Sequence, residues 1–318
     1  MIPVRALGRT GITLPALGFG CGAVGGLMVR GTEADQDRAV ARALELGIRY
    51  FDTAPSYGDG ASERNLGRVL AKLRPDVLVG TKVNLPPGER IAEAVPRAME
   101  DSLRRLGRSS VDIYYLHNPI GSGDRAISPE RVIGEVAPAF RKLREAGKTR
   151  FLGFTAIGDT QALHAVVASG AFDAAQVPYN LLNPSAGGPM PPNRPGQDYG
   201  HLLEHMQRMG MGAVGIRILA GGALSGVEIR HPNASPPPDP IGSGPDYATD
   251  LSHAEDLWPM VEPCGAASLT ELAVRFAISH PAMSTALIGI ATPEQFEEAA
   301  TAAMKGVLPP AALDRLRK

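Results

Sequence analysis

Short apolar runs alternate with amphipathic segments eight times along the 318 residues of this chain. The apolar runs have the length of strands, and the segments between them carry apolar residues at helical spacing. An alternation of strand and helix repeated eight times is the pattern that a closed parallel barrel requires. The sequence therefore predicts a fold of the α/β class, a single (β/α)8 TIM barrel over residues 1–318.

Turn and capping residues place the boundaries of these elements. Turn signals at Gly8 and Gly11 predict a short N-terminal hairpin over residues 2–14 that could close the bottom of the barrel. The predicted strands are Leu17–Gly22, Ile48–Phe51, Val77–Thr81, Val111–Leu116, Arg150–Thr155, Ala174–Asn180, Ala213–Ile216 and Thr285–Ile288. The predicted helices lie near 32–46, 62–74, 91–106, 130–146, 160–169 and 200–209, and Ser268 and Thr292 begin the last two. No Gly-x-Gly-x-x-Gly motif follows the first strand, which argues against a doubly wound dinucleotide-binding fold.

Two long stretches rich in Pro and Gly interrupt the alternation after strands six and seven. They run from Asn183 to Gly200 and from Val227 to Glu255. Loops of this length inside a compact domain are usually lids, binding loops or disordered inserts. We expect both to emerge at the same end of the barrel, either as covers of a substrate and cofactor site or as solvent-exposed linkers.

Titratable residues stand at the ends of three successive strands. Asp52 ends the second strand and Tyr57 follows it, Lys82 ends the third and His117 follows the fourth. Taken alone, such a lysine is usually a solvated surface residue, and such a histidine is usually structural. In a parallel barrel, however, all these strand ends meet at the face that carries the active site. The joint pattern therefore predicts one reactive cluster.

The residues around this cluster carry a family resemblance. The segment Phe51–Gly58, the pairs Ser62-Glu63 and Leu66-Gly67, Lys82 and the run Leu116–Pro119 resemble the aldo-keto reductase superfamily. The match covers nearly the whole chain, and the first half is similar to the aldose and galactose dehydrogenase branch. The resemblance implies an NAD(P)(H)-dependent aldo-keto reductase or alcohol dehydrogenase whose catalytic tetrad is Asp52, Tyr57, Lys82 and His117.

The four residue types suit the interconversion of a carbonyl and an alcohol. A phenol has a pKa of about 10, which is too high for efficient proton exchange at neutral pH, and an adjacent ammonium lowers it. Lys82 could supply that charge to Tyr57, and Asp52 would keep Lys82 charged and oriented. His117 could donate to the substrate oxygen. We therefore expect Tyr57 to be the general acid for reduction and the general base for oxidation, without a metal.

The resemblance also implies a cofactor site. Thr155 and Gln176 would contact the nicotinamide carboxamide, although Ala156 replaces the usual Asn, and Ile216 replaces the usual stacking aromatic residue. Arg217 could reach the pyrophosphate or the substrate, or it could form a rim salt bridge. The remaining cofactor-binding candidates are Gly20, Cys21, Asp52, Leu219, Ala220, Gly221, Gly289, Ile290, Ala291, Gln295 and Glu298.

The loop after the last strand bears on the choice between NAD(H) and NADP(H). Members that select NADP(H) carry Lys and Arg there for the 2′-phosphate, whereas this chain has none between Gly289 and Gln295 and continues with Glu297 and Glu298. Without a guanidinium or ammonium this loop cannot make a charge-assisted contact to a phosphate. The sequence therefore predicts a modest preference for NAD(H).

The substrate is expected to be a small carbonyl compound or alcohol whose identity the sequence leaves open. Val24, Met28 and Asn118, together with Tyr57 and His117, are the candidate substrate-binding residues. Two other functions remain possible. Lys82 could form a Schiff base in a lyase if its pKa were depressed, or the barrel could bind the cofactor without turnover and regulate a partner.

Charge and cysteine content exclude several other classes. The net charge of −1 offers no basic surface for nucleic acid or anionic membrane. The two cysteines, Cys21 and Cys264, have neither disulfide-framework nor zinc-ligand spacing. The chain shows neither a signal peptide nor a long apolar run, so we expect a cytoplasmic protein that binds no membrane. The oligomeric state is not predicted.

Overall fold

Eight parallel strands close into a barrel in the computed structural model, which describes residues 1–192, 194–227 and 229–317. A hairpin of β1 (Val4–Ala6) and β2 (Thr13–Pro15) precedes the barrel. The barrel strands are β3 (Leu17–Gly20), β4 (Tyr50–Asp52), β5 (Leu78–Val83), β6 (Val111–Leu116), β7 (Thr149–Thr155), β8 (Ala174–Pro178), β9 (Gly212–Ile216) and β10 (Met283–Gly289). Strand β10 pairs with β3 and closes the ring, so the predicted (β/α)8 barrel and N-terminal hairpin are confirmed.

Helices follow the strands and surround the barrel. They are α1 (Leu27–Arg30), α2 (Glu33–Glu45), α3 (Ala61–Leu73), α4 (Ile91–Leu106), α5 (Pro129–Arg131), α6 (Ala137–Glu145), α7 (Thr160–Ala168), α8 (Leu202–Arg208), α9 (Tyr247–Glu255), α10 (Leu269–Ser279), α11 (Pro293–Met304) and α12 (Pro310–Leu316). A wider helical turn over Val132–Val136 joins α5 to α6. In the part of the chain that is described, no helix has the length and apolar character needed to cross a bilayer.

Capping residues begin three of these helices as the sequence predicts. The side chains of Thr32, Ser268 and Thr292 accept hydrogen bonds from backbone N–H groups three residues further on. Each bond satisfies a donor at the helix start that has no partner within the helix.

Three helices were not predicted, the single turn α1 and the longer α9 and α12. The second long stretch was expected to be irregular as far as Glu255, but its last nine residues form α9. Asp246 caps that helix by accepting from the backbone N–H of Thr249 at 2.8 Å. The C-terminal helix α12 was also missed. All three are short and lack the long apolar stripe by which helices are recognised in a sequence.

Two tyrosines, Tyr50 of β4 and Tyr115 of β6, are fully buried, and their hydroxyl groups lie 2.9 Å apart. Glycines on neighbouring strands make room for them. A β-carbon on Gly80 would lie 2.5 Å from the Tyr50 hydroxyl, and one on Gly153 would lie 2.4 Å from the Tyr115 ring. The packing therefore fixes Tyr50 directly beside the end of β4, where Asp52 lies.

Candidate active site

The predicted reactive residues lie on three neighbouring strands of the barrel. Asp52 ends β4, Lys82 is the penultimate residue of β5 and His117 follows β6. Strands β4, β5 and β6 pair in that order, so the three residues face the same end of the barrel. Tyr57 lies in the turn between β4 and α3 and joins them there.

Lys82 is buried at the centre of this cluster, with only 1% of its surface exposed. Its Nζ donates to Oδ1 of Asp52 and, at 2.8 Å, to the carbonyl of Thr53. The same Nζ lies 4.9 Å from the centre of the Tyr57 ring. Lys82 is therefore not a surface lysine, and its ammonium lies between the carboxylate and the phenol.

Burial and the neighbouring charges shift the pKa of Lys82, and likewise that of Tyr57, in opposite directions. Burial by itself lowers the pKa of Lys82, but Asp52 and Tyr57 raise it above its ordinary value, so the amine stays protonated. Burial raises the pKa of Tyr57, and the charge of Lys82 offsets only part of that rise. The charge of Lys82 thus lowers the pKa of Tyr57 as expected. Burial has the larger effect, however, so the pKa stays above its ordinary value and the phenol stays protonated at neutral pH.

His117 packs edge-on against Tyr57, with ring centres 6.0 Å apart and an angle of 86° between the planes. Burial, with the charge of Lys82 added, lowers the pKa of His117 to about 3, so the ring is neutral at physiological pH. Nδ2 of Asn84 lies 3.4 Å from Nδ1. Because an amide nitrogen only donates, Nδ1 accepts and the proton of the ring resides on Nε2.

Two further side chains hold Asp52. Tyr50 donates to its Oδ2 at 3.2 Å, and Nε2 of Gln176 donates to the same oxygen at 2.6 Å. Tyr50 is not among the site residues that the sequence predicts. Strand periodicity could have identified it, because residues two apart point to the same face of a strand and Tyr50 precedes Asp52 by two.

A second buried network anchors the turn that carries Tyr57. Glu63 of α3 is fully buried, accepts from the Thr81 hydroxyl at 2.6 Å and pairs with Arg105 at 2.5 Å. The hydroxyls of Thr53 and Ser62 lie 2.8 Å apart. These bonds tie the start of α3 to β4 and β5, so the segment between them has little freedom to move.

A cavity of about 350 Å³ opens in front of the cluster. Most of the residues predicted to bind cofactor or substrate line it, together with residues that were not predicted, among them Gly22, Ile157, Arg230 and His231. The predicted residues in the lining are Gly20, Val24, Asp52, Tyr57, His117, Thr155, Gln176, Ile216, Arg217, Leu219, Gly221, Gly289, Ile290, Ala291, Gln295 and Glu298.

Four other candidates lie outside the lining. Met28 is buried in the hydrophobic core, and Asn118 is bonded to both backbone groups of Leu85. Cys21 is buried beside the tetrad, and Ala220 is buried behind the lining residues Leu219 and Gly221. Their apolar or amide side chains are used for packing and for holding loops, which the sequence alone does not distinguish from ligand contact.

The loop after β9 crosses the cavity and is bonded on both sides of it. Ser235 N–H donates to the carbonyl of Val24 at 2.9 Å, and Nδ2 of Asn233 donates to the carbonyl of Ala291 at 3.0 Å. Asn183 of the loop after β8 donates to the carbonyl of Gly242. The described parts of the two long loops are thus bonded into a cover; Asn193 and Glu228, within the same stretches, lie outside the described residues.

The cavity suits an extended dinucleotide. Six glycines lie in its wall, and a β-carbon on Gly289 would meet nothing closer than 3.9 Å, so the backbone there can approach a ligand directly. Thr155 and Gln176 provide buried hydroxyl and amide groups at the tetrad end. Within the residues that the structure describes, no group of three or more His, Cys, Asp or Glu side chains is arranged to hold a metal ion.

Two carboxylates of α11, Glu297 and Glu298, have partners within the protein. Glu297 pairs with Arg42 at 2.6 Å, and Glu298 accepts from the Ser268 hydroxyl at 3.2 Å. The negative charge that the sequence places after β10 is therefore partly neutralised, and Arg230 and His231 bring basic groups to the cavity from the β9 loop.

Comparison with known proteins gives a consistent picture. The profile of the Aldo/keto reductase family matches residues 16–318. L-galactose dehydrogenase of Arabidopsis thaliana is 30% identical over 317 residues, covering 93% of this chain and 86% of that protein. An aldo-keto reductase from Bacillus halodurans in its holo form superimposes with a TM-score of 0.75 at 24% identity, covering 100% of this chain and 97% of that one. An aldo-keto reductase from Klebsiella pneumoniae in complex with NADPH gives a TM-score of 0.72 at 24% identity, covering 99% and 94%.

Proposed function

The chain belongs to the aldo/keto reductase family, and on that premise we propose that it interconverts an aldehyde or ketone with the corresponding alcohol, using a nicotinamide cofactor. The resemblance read from the sequence is confirmed, and membership of the family makes the chain an oxidoreductase. The finer assignment concerns which residues perform the reaction and with which cofactor.

One observation carries the assignment of residues. The ammonium of Lys82 is buried between the carboxylate of Asp52 and the ring of Tyr57, and the latter faces the cavity beside His117. A phenol with a buried cation beside it is placed to give up and regain a proton, which is the task that carbonyl reduction sets. The arrangement supports Tyr57 as the acid and base of the reaction.

Each residue then has a distinct part. When bound, the nicotinamide supplies or accepts the hydride. Burial keeps the pKa of Tyr57 above its ordinary value, so the phenol carries the proton that it donates to the carbonyl oxygen in reduction. Nε2–H of His117 donates to the same oxygen and stabilises the charge that develops there. Lys82 and Asp52 are positioning residues, since Lys82 stabilises the phenolate that remains and Asp52 keeps Lys82 charged.

The cofactor we propose is NADP(H), held at the tetrad end by Thr155 and Gln176 and along the loops after β9 and β10. The preference for NAD(H) predicted from the sequence is not supported. The Klebsiella neighbour is in complex with NADPH, and here the carboxylates of α11 are engaged by Arg42 and Ser268. We expect catalytic efficiency with NADPH to exceed that with NADH by about tenfold or more; equal efficiencies, or a preference for NADH, would contradict this.

A substrate panel tests the reaction itself. We expect NADPH oxidation with one or more aldehydes or ketones, and NADP⁺ reduction with the corresponding alcohol. The Schiff-base alternative is disfavoured because Asp52 raises the pKa of Lys82. Borohydride trapping of a carbonyl compound on Lys82 would support the lyase instead, and cofactor binding without turnover across the panel would support a regulatory role.

A further inference from the structure

Arg217 follows β9 with its backbone in the left-handed region, at φ 58°. Residues with a β-carbon rarely adopt this conformation and keep it only where surrounding bonds hold it. Here the carbonyl of Arg217 accepts from Nδ2 of Asn180 and from the N–H of Ala220, each at 2.8 Å. The fixed backbone places the half-buried arginine in the lining of the cavity, together with Tyr57 and His117.

The guanidinium of Arg217 lacks a carboxylate within ion-pair distance among the described residues. Among these residues, Nη1 of Arg217 donates a hydrogen bond to the backbone carbonyl of Asp239, at 3.2 Å. Asp250, the other nearby acid, is bound instead by the Ser243 hydroxyl at 2.8 Å. The rim salt bridge considered from the sequence is therefore absent from the described part of the chain.

Two other partly buried arginines reach an acid, whereas Arg230 of the same cavity lining is held by two backbone carbonyls and the Tyr247 hydroxyl. Arg105 pairs with Glu63 at 2.5 Å, and Arg275 pairs with Glu271 at 3.0 Å. Burial lowers the pKa of Arg217, and the nearby phenol of Tyr57 and the acids at 239 and 250 oppose this without cancelling it. A cation that is partly removed from water and has no ion-pair partner is unfavourable, and a bound anion would relieve that cost.

We propose that Arg217 is an oxyanion-binding residue of this site, an inference that rests on the proposed function. A guanidinium presents parallel N–H donors that match carboxylate and phosphate oxygens. A β-carbon on Gly221 would lie 2.7 Å from Cγ of Pro238 and 3.2 Å from Nη1, so the guanidinium can pack this close to the backbone only because the residue is glycine. Arg217 and Gly221 both line the cavity. The oxyanion we assign is a carboxylate or phosphate group on the substrate, and the pyrophosphate of the cofactor is the alternative that the test excludes.

The test compares two variants, Arg217→Gln and Arg217→Lys. The lysine keeps the positive charge but lacks the parallel N–H donors of the guanidinium. Arg141→Gln is the matched control, because Arg141 is exposed on α6. One arm measures NADP⁺ binding by calorimetry. The other measures catalytic efficiency with 4-carboxybenzaldehyde and with its neutral methyl ester, and calorimetric binding of 4-carboxybenzoate to the cofactor-loaded protein. Circular dichroism checks that each variant is folded.

A substrate oxyanion predicts that Arg217→Gln lowers efficiency and affinity for the acids by about tenfold or more, while the ester and NADP⁺ change little. The Lys variant recovers part of that loss. A loss of NADP⁺ affinity, with acid and ester affected alike, would show that Arg217 serves the cofactor pyrophosphate and would overturn the proposal. A folded Gln variant that matches the Arg141→Gln control in every measurement overturns the proposal. If no carbonyl compound is turned over, the proposed function fails, and the binding measurements still decide on Arg217.

Discussion

The hydroxyl of Tyr50 donates a hydrogen bond of 3.2 Å to Oδ2 of Asp52 inside the barrel. This contact links the packing of the core to the chemistry of the site, because Tyr50 is itself held by Tyr115 and by the absence of a side chain at Gly80. The carboxylate of Asp52, which orients Lys82, is therefore held in place by residues of the barrel interior.

Gly80→Ala should disturb this contact. The new β-carbon would lie 2.5 Å from the Tyr50 hydroxyl and 3.2 Å from Oδ2 of Asp52, in a closely packed interior that has no room for it. We expect a loss of about 1–3 kcal/mol in the free energy of unfolding, and a lower kcat. Urea denaturation and a steady-state assay measure both.

Gly134→Ala is the matched control for that substitution. Gly134 lies in the helical turn between α5 and α6, and a β-carbon there would meet nothing within 4 Å. Alanine should stabilise this position by up to about 1 kcal/mol and leave kcat unchanged. If both variants lost stability equally, the account of the glycine in the barrel interior would be wrong.

Lys82→Met should be strongly destabilising, because it leaves Asp52 buried without its cation. Breaking a buried ion pair from one side costs about 3–5 kcal/mol. Adding Asp52→Asn removes the unpaired charge, so the double variant should regain much of the stability. Activity should stay abolished in both variants, because the phenol has lost its ammonium. A double variant that recovers activity would show that Lys82 acts only in stability.

The lowered pKa of His117 predicts how stability depends on pH. In the folded protein its pKa is about 3, against an ordinary value of 6.5, so the unfolded chain binds a proton in this interval that the native state does not. Stability contributed by the neutral ring is therefore complete above about pH 6.5 and is lost as the pH falls.

A comparison of His117→Gln with the unsubstituted protein isolates this contribution. The difference in free energy of unfolding between them should shift in favour of the variant between about pH 7.5 and about pH 5, since glutamine does not titrate. In the same range kcat/KM of the unsubstituted protein should show no ionisation near pH 6.5. A constant difference would mean that His117 titrates normally.

The sequence predicts what depends on local pattern. The strand ends at Asp52, Lys82 and His117 could be placed because parallel strands bring their carboxyl ends to one face, and capping residues such as Thr32 marked helix starts. The burial of Met28 and the clamp that Asn118 forms depend on which neighbours fold against them. A sequence does not contain that information in any short segment.

Ion pairs between residues that are far apart in the sequence are the second feature that could not be predicted. The predicted preference for NAD(H) rested on the absence of Lys and Arg between Gly289 and Gln295 and on the acids that follow. In the fold, Arg42 pairs with Glu297 from 255 positions away, and Arg230 reaches the cavity from the β9 loop. Arg217 was left undecided for the same reason, since a salt bridge can be asserted or excluded only when the surrounding loops are in place. Charge patterns along a chain do not reveal such contacts.

The role of Tyr57 is tested most directly by Tyr57→Phe, with Tyr114→Phe as control. Tyr114 is likewise a buried tyrosine of the barrel, but it packs in the core against Phe140, and its hydroxyl has no hydrogen-bond partner among the described residues. The measurement is single-turnover oxidation of bound NADPH by the best carbonyl substrate, with NADPH affinity determined separately. We predict that Tyr57→Phe slows the step by about 10²–10⁴-fold while NADPH affinity stays within about twofold, and that Tyr114→Phe changes neither. A Tyr57→Phe protein that turns over at the unsubstituted rate would contradict the account.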